Sequence, residues 1–193
     1  MTLFVNACVR KDSRTRKLTE HLLEKIQDEI QEIRLEDIQF PHVDEAFLYK
    51  RTSLIQKKEF NNPMFDLANQ FAKADRIVMA CPYWDMSFPS SVKQYFEQVN
   101  ALGVTFVYTE TGAPKGLCKA KQLFYITTSG GNHVNADFGF GYVNALAHAF
   151  YGIHDVKLIM APGLDIWGAD EKGIMEKAIK EIDEIWVSQQ SRC

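Results

Sequence analysis

One stretch, residues 76–91, constrains the fold of this chain more than any other. Its first part, residues 77–80, is an apolar run too short and too continuous for an amphipathic helix, which predicts a strand buried on both faces. Pro82 ends that strand, and Pro89 predicts the first position of a helix in which apolar residues recur at spacings of three and four. A buried strand followed by a loop and a helix is the repeating unit of parallel α/β sheets.

The same unit recurs along the chain. Four more strands are predicted from short apolar runs, at residues 3–7, 33–38, 123–127 and 156–160. The apolar stripes of five helices lie within residues 18–30, 64–71, 92–102, 142–151 and 174–186. Two segments interrupt the alternation. Residues 40–62 are expected to contain short helical pieces that could pack on a partner chain, and residues 103–117 are expected to form a strand followed by a loop or a hairpin.

Five strands alternating with five helices predict an α/β fold. The sheet is expected to be doubly wound and parallel, with strand order 2-1-3-4-5 and helices on both faces. A length of 193 residues is typical of one such unit, so residues 1–193 are predicted to form a single domain.

Composition excludes several classes of function. No apolar run approaches the roughly 20 residues that span a bilayer, and the net charge of −3 gives no general affinity for nucleic acid. The apolar run at the start of the chain is interrupted by polar residues too early for a signal peptide, which predicts a cytoplasmic protein with reduced thiols. No metal site is expected, because metal-ligand spacing is missing among the cysteines Cys8, Cys81, Cys118 and Cys193.

In a sheet of this order, the loops after the first, third and fourth strands meet at one edge. The first loop has five basic residues among the eight at positions 10–17, where the positive end of a helix dipole disfavours cations unless an anion is bound. Hydroxyl, guanidinium and free backbone N–H groups therefore predict a phosphate site with ligands from Arg10, Ser13, Arg14 and Thr15. The alternative is a solvated charged turn, and the glycine pattern of a P-loop is absent.

The other two loops offer surfaces to a flat ligand. The loop at residues 82–88 is rich in aromatic side chains, which can stack on a planar ring or, alternatively, belong to the core. After the fourth strand, the Gly-Gly pair at 130–131 either allows close approach of a ligand or forms a simple turn. A phosphate at the first loop and a planar ring at the other two predict flavin mononucleotide (FMN). The GxG fragment at residues 139–141 lacks the third glycine of a dinucleotide fingerprint.

Three motifs, PYWDMSFP at residues 82–89, GVTFVYTE at 103–110 and ITTSGG at 126–131, resemble the flavodoxin-like FMN-dependent NAD(P)H:quinone oxidoreductase and azoreductase family. The resemblance covers most of the chain and implies a homodimer with two FMN sites at its interface. It also implies two-electron reduction of quinones, azo compounds or nitroaromatics by NADH or NADPH. By this resemblance, phosphate contacts fall on Ser13, Arg14 and Thr15, and ring contacts fall on Pro82, Tyr83, Trp84, Asp85, Met86, Thr128, Ser129, Gly130, Gly131 and His133.

Two positions depart from the family's pattern. Asp85 stands where many azoreductases have Asn, and Ser129 stands where many have Arg. An ionised Asp85 beside the flavin would disfavour the anionic reduced ring, so its side chain points away or the reduction potential is lowered. The predicted walls of the substrate pocket are Trp84, Phe106 and Tyr108.

The flavin N5 would carry the chemistry, so no catalytic side chain is expected. Donor and acceptor would take turns over one open face of the ring, which predicts ping-pong kinetics. The main alternative is a flavodoxin-type electron carrier without substrate turnover, and another is an interaction module that binds no flavin. A hydrolase with Ser129 as nucleophile is disfavoured because no G-x-S-x-G elbow is present.

Overall fold

A five-stranded parallel sheet forms the centre of the computed structural model, which describes residues 1–190. The strands are β1 (Thr2–Asn6), β2 (Ile30–Arg34), β3 (Arg76–Ala80), β4 (Phe106–Tyr108), β5 (Pro114–Gly116), β6 (Gln122–Thr128) and β7 (Asp155–Ala161). The sheet has the order β2-β1-β3-β6-β7, and β4 and β5 form a separate antiparallel hairpin. The predicted doubly wound sheet of order 2-1-3-4-5 is therefore confirmed.

Helices cover both faces of the sheet, as predicted. Those within residues 1–190 are α1 (Arg14–Leu23), α2 (Glu45–Gln56), α3 (Asp66–Lys73), α4 (Ser90–Val99), α5 (Phe140–Leu146) and α6 (Glu171–Gln190). The helices α1 and α6 pack against one face, and α3, α4 and α5 pack against the other. None of these helices combines the length and the apolar character needed to cross a bilayer.

Strand β3 shows how the sheet supplies two hydrophobic cores. Ile77 and Met79 belong to the cluster on one face, Val78 and Ala80 belong to the cluster on the other, and all four are fully buried. Successive side chains of a strand point to opposite faces, so a continuous apolar run can fill both cores. The prediction for this strand is confirmed.

The elements after β1 differ from the prediction. The helix α1 ends at Leu23 although the apolar spacing continues to Ile30, and β2 begins at Ile30 rather than at residue 33. Ile26 packs in the same core cluster as α1 after the helix has ended, so periodicity alone does not mark the end of the helix. In the edge strand β2 only Ile33 is buried, which leaves a weak signal in the sequence.

The segment at residues 40–62 contains one longer helix, α2, instead of the predicted short helical pieces. Arg51 fastens this helix to the end of α4. Its guanidinium donates to the carbonyl oxygens of Glu97, Gln98 and Asn100 at 2.7, 3.1 and 3.0 Å. The last carbonyls of a helix have no partner within the helix, so Arg51 satisfies groups that would otherwise need water.

Of the loop and the hairpin predicted as alternatives within residues 103–117, the structure has the hairpin, with a first strand shorter than predicted. It packs on the helix that precedes β7, which the structure divides into α5 and a wider π-helical turn, Ala147–Tyr151. A Cβ at Gly116 would overlap the carbonyl carbon of Tyr151. Only glycine therefore allows the hairpin to approach this turn so closely.

Candidate functional site

A cavity of about 350 Å³ lies where β1, β3 and β6 end, at the carboxyl edge of the sheet. The three loops that the sequence predicts to meet do meet here. The predicted residues that line the cavity are Arg10, Ser13, Arg14, Thr15, Pro82, Tyr83, Trp84, Thr128, Ser129 and Gly130. Charged residues outside the prediction also line it, and these are Asp12, Lys17, Asp165 and Glu171.

Two backbone donors at the start of α1 have no acceptor among the residues that the structure describes. Ser13 is the N-cap of this helix, and its Oγ accepts the N–H of Arg16 at 3.3 Å. Within residues 1–190, the N–H groups of Arg14 and Thr15 donate to no acceptor. Unpaired donors in the first turn of a helix, together with its dipole, favour an anion. This end of the cavity therefore has the chemistry of a phosphate site.

The hydroxyl of Thr15 forms a contact between two of the loops. Thr15 is buried, and its Oγ1 lies 2.6 Å from Oγ1 of Thr128. The hydrogen bond joins the start of α1 to the end of β6. The side chain that the sequence predicts as a phosphate ligand thus also braces the walls of the cavity.

The guanidinium of Arg14 contacts a fourth loop, which sequence reasoning missed. Its Nη2 donates to Asp165 Oδ1 at 2.7 Å, and its Nη1 donates to the carbonyl oxygen of Leu164 at 3.3 Å. The carboxylate of Glu171 lies 3.8 Å from Nη1. This loop follows β7, whose carboxyl end reaches the same edge of the sheet, and that strand-end position was the available signal.

The fourth loop packs its backbone on the loop after β6. The N–H of Leu164 donates to the carbonyl oxygen of Ser129 at 3.1 Å, and the N–H of Asp165 donates to that of Gly130 at 3.0 Å. A Cβ at Gly130 would overlap the carboxylate of Asp165, whereas a Cβ at Gly131 would meet nothing within 4 Å. A side chain at the first glycine of the pair would therefore displace the Asp165 carboxylate that pairs with Arg14, and only the second glycine leaves open space.

The loop after β3 contains a tight four-residue turn. The backbones of Trp84 and Ser87 donate hydrogen bonds to each other, both at 2.8 Å. Between them, Asp85 and Met86 have φ angles of 49° and 68°, as in a type I′ turn. Aspartate tolerates this left-handed conformation better than most residues, whereas Met86 is strained in it. Pro89, which the sequence predicts as the first residue of the next helix, is instead the N-cap of α4.

The same turn presents backbone donors and one aromatic ring at the border of the cavity. In the part of the chain that the structure describes, the N–H groups of Asp85 and Met86 have no acceptor. The ring of Trp84 lines the cavity and remains 38% exposed. Unpaired donors beside an exposed indole suit the edge and the face of a planar polar ring.

Some predicted site residues lie outside the cavity lining. Four of them are exposed in the loops that border the cavity, and these are Asp85, Met86, Gly131 and His133. Phe106 and Tyr108 lie on the β4–β5 hairpin, where Phe106 stacks on Phe150 with ring centroids 4.4 Å apart. The single chain does not bring these two predicted substrate walls to the cavity, because the hairpin packs on the π-helical turn. Their role remains a prediction.

The described residues offer no cluster for thiolate or metal chemistry. Burial raises the pKa of Cys8 to about 11 and that of Cys118 to about 12. It also raises the pKa of Cys81 well above its usual value, so these three thiols are protonated at neutral pH. Cys193 lies outside the described residues. Within residues 1–190, no three His, Cys, Asp or Glu side chains are grouped so as to hold a metal ion.

Comparison with known families agrees with this geometry. A family model described as a flavodoxin-like fold matches residues 1–185. The chain belongs to the flavodoxin-like family. This flavodoxin-like chain is 34% identical, over 190 residues and 91% of both chains, to an FMN-dependent NADH:quinone oxidoreductase of Coprothermobacter proteolyticus. It is 33% identical to an FMN-dependent NADH:quinone oxidoreductase 2 of Clostridium perfringens, over 93% of its own length and 94% of that protein.

Solved structures share the fold over nearly the whole flavodoxin-like chain. An FMN-dependent NADH-azoreductase of Bacillus anthracis in complex with FMN has a TM-score of 0.80 at 26% identity, over 97% of this chain and 98% of that one. A second azoreductase of Bacillus anthracis has a TM-score of 0.82 at 22% identity, over 96% and 97% of the two chains.

Proposed function

We propose that this flavodoxin-like chain binds FMN at the carboxyl edge of its sheet and uses NADH to reduce quinones or azo compounds. One observation carries the proposal: Arg14 and Thr15, whose N–H groups are unpaired, line the same cavity as the indole of Trp84. A phosphate suits the first feature and a planar ring suits the second, and FMN carries both groups. The relatives are named as oxidoreductases, so an electron carrier without turnover is not favoured.

The phosphate end is proposed to use the start of α1. The N–H groups of Arg14 and Thr15 would donate to phosphate oxygens, and the hydroxyl of Ser13 adjoins them. Arg10 and Lys17 also line this end, and neither has a carboxylate partner within the described chain. Hydrogen bonds to a charged phosphate contribute about 1.5–3 kcal/mol each, which makes this end the main source of FMN affinity.

The ring end is proposed to use the loops after β3 and β6. When bound, FMN supplies the two-electron chemistry, since its ring takes hydride from a nicotinamide and gives it to an acceptor. The chain would orient the ring through Trp84 and through the free N–H groups of Asp85 and Met86. The other proposed ring contacts are Pro82, Tyr83, Thr128, Ser129, Gly130, Gly131 and His133. No side chain needs to act as an acid, a base or a nucleophile.

A ping-pong order is part of the proposal. The loops that line the cavity would hold the back and the edges of the ring, which would leave one open face for both the donor and the acceptor. Hydride transfer requires the reacting atoms at about 3–3.5 Å, so the nicotinamide must leave before an acceptor can bind in its place. NADPH as a second donor and nitroaromatic compounds as further acceptors belong to the same proposal, because NADPH carries the same nicotinamide as NADH and a nitroaromatic compound is likewise a planar ring that accepts two electrons.

We also propose that the active form is a cytoplasmic homodimer. Large apolar side chains remain exposed on α2 and on the hairpin: Leu48 is 53%, Tyr49 70% and Tyr108 55% exposed. Such surfaces often mark contacts between chains. In a dimer, Phe106 and Tyr108 could reach the cavity of the other chain and act as the predicted substrate walls. Light scattering at micromolar concentration should then give about twice the single-chain mass of 22.1 kDa.

Flavin extraction combined with a minimal assay tests the function. Chromatography of flavin released from the denatured protein should identify FMN rather than FAD. The purified protein should then oxidise NADH when a quinone is the only other addition. A protein that oxidises NADH only after a separate reductase is supplied would be an electron carrier. A preparation that stays colourless after incubation with FMN would support an interaction module instead.

A further inference from the structure

The turn at residues 84–87 stores strain that its surroundings must balance. Asp85 and Met86 both have positive φ angles although neither is glycine, and the conformation is unfavourable above all for Met86, because aspartate tolerates it better. Strain of this kind persists only where neighbouring contacts fix the backbone. The two hydrogen bonds within the turn join residues only three positions apart, so contacts to the rest of the fold are needed to fix where the turn lies.

Ser87 makes the most direct of these outside contacts. Its Oγ donates to the carbonyl oxygen of Phe138 at 2.6 Å, across 51 positions of sequence. Its N–H and carbonyl groups are both bonded to Trp84. The hydroxyl is free for this role because Pro89, and not Ser87, is the N-cap of α4. All three polar groups of Ser87 therefore hold either the turn itself or the loop after β6.

A second contact joins the same two loops. The hydroxyl oxygen of Tyr83 accepts the N–H of Asn135 at 3.1 Å. A Cβ at Gly139 would lie 3.2 Å from the hydroxyl oxygen of Tyr125 and 3.9 Å from the carbonyl carbon of Ser87, which shows how closely the loop after β6 packs here. The turn is thus held from outside by the hydroxyl of Ser87, and Tyr83, the residue before the turn, is held by a second hydrogen bond.

We propose that Ser87 is a positioning residue for hydride transfer. The hydrogen bond from Ser87 to Phe138 fixes the strained turn. The turn places the free N–H groups of Asp85 and Met86 where they can meet the flavin edge. This inference rests on the proposed function. The phosphate end of the cavity is built from α1 and does not depend on Ser87, so loss of its hydroxyl should impair hydride transfer more than FMN retention.

Ser87→Ala tests the proposal, and Ser87→Thr restores the hydroxyl. Ser90→Ala is the matched control, because the Ser90 side chain is exposed and has no hydrogen bond within residues 1–190. In protein without flavin, hydrogen exchange at the amides of Trp84 and Ser87 should be at least tenfold faster in Ser87→Ala and unchanged in the other two. With FMN bound, the rate of flavin reduction by NADH should fall tenfold or more, since small displacements of reacting groups cost that much. The KM for NADH should change less than threefold.

Three results would overturn the proposal. The first is exchange at wild-type rates in Ser87→Ala, because the hydroxyl then does not hold the turn. The second is faster exchange with an unchanged reduction rate per bound FMN, because the contact is then merely structural. The third is a Ser87→Thr protein that behaves like Ser87→Ala. Absence of reduction by NADH in the wild-type protein would instead refute the proposed function, and the exchange measurement would still decide whether Ser87 holds the turn.

Discussion

Single hydroxyl groups join the walls of the cavity. The hydroxyls of Thr15 and Thr128 are buried and bonded to each other at 2.6 Å. A buried hydroxyl that loses its partner costs about 1–3 kcal/mol. The pair therefore couples the start of α1, where the unpaired N–H groups lie, to the end of β6.

Thr15→Val should lower the free energy of unfolding of the flavin-free protein by about 1–3 kcal/mol, because it keeps the side-chain volume and leaves the hydroxyl of Thr128 unpaired. Urea unfolding measures the change, and Thr15→Ser, which keeps the hydroxyl, is the control. The double variant Thr15→Val with Thr128→Val should cost less than the sum of the single changes. Strict additivity would show that the two hydroxyls do not interact.

Residue type allowed part of the site to be predicted. Ser13 and Trp84 carry local signals, since a hydroxyl at the start of a helix and an aromatic residue after a buried strand are recognisable in sequence. The partners of Arg14 and Thr15 were not predictable, because Asp165 and Thr128 lie 151 and 113 positions away. Such pairs form only when the strand ends meet in the fold.

Among the elements, the turn at residues 84–87 departs furthest from local preference. Type I′ turns are recognised by Asn-Gly or Asp-Gly at their centre, and this chain has Asp85-Met86 instead. The sequence therefore predicts a loop here without its geometry. The edge strand β2 was misplaced for a related reason, since one buried residue leaves little pattern.

Replacing Met86 with glycine should relieve strain in this turn. At a φ of 68° glycine has no Cβ penalty. The free energy of unfolding of Met86→Gly should therefore exceed that of Met86→Ala by about 1 kcal/mol, and Met86→Gly should unfold at a higher temperature. The comparison with alanine removes the effect of losing the long side chain. Thermal unfolding of the flavin-free protein measures both, and an alanine variant as stable as the glycine variant would contradict the strained geometry.

Across the whole molecule, the edge of the sheet opposite the cavity is held by charges. Asp75 lies 2.6 Å from both the Met1 ammonium and Lys119 Nζ. Two hydrogen bonds, the stronger from Lys119 and the weaker from the Met1 ammonium, lower the pKa of this carboxyl from its usual 3.8 to about 2. These contacts connect the starts of β1 and β3 with the segment that enters β6.

The lowered pKa of Asp75 predicts a defined pH dependence. A carboxyl whose folded pKa lies below its unfolded value stabilises the fold above the unfolded pKa and loses that contribution as the pH falls through the folded pKa. The difference in unfolding free energy between wild type and Asp75→Asn should therefore be constant above about pH 5 and vanish between the usual pKa of 3.8 and about 2. Unfolding by denaturant across this range measures it, and a difference independent of pH would refute the ion pairs.

Anaerobic rapid mixing shows whether one FMN in this cavity takes hydride from NADH and gives it to a separate acceptor. The FMN-loaded protein is mixed first with NADH alone and then with a quinone, while the visible absorbance of the flavin is followed. We expect NADH to bleach the flavin fully without any acceptor, and the absorbance to recover fully when quinone is added. Bleaching that requires the quinone to be present, or no bleaching by NADH at all, would contradict it.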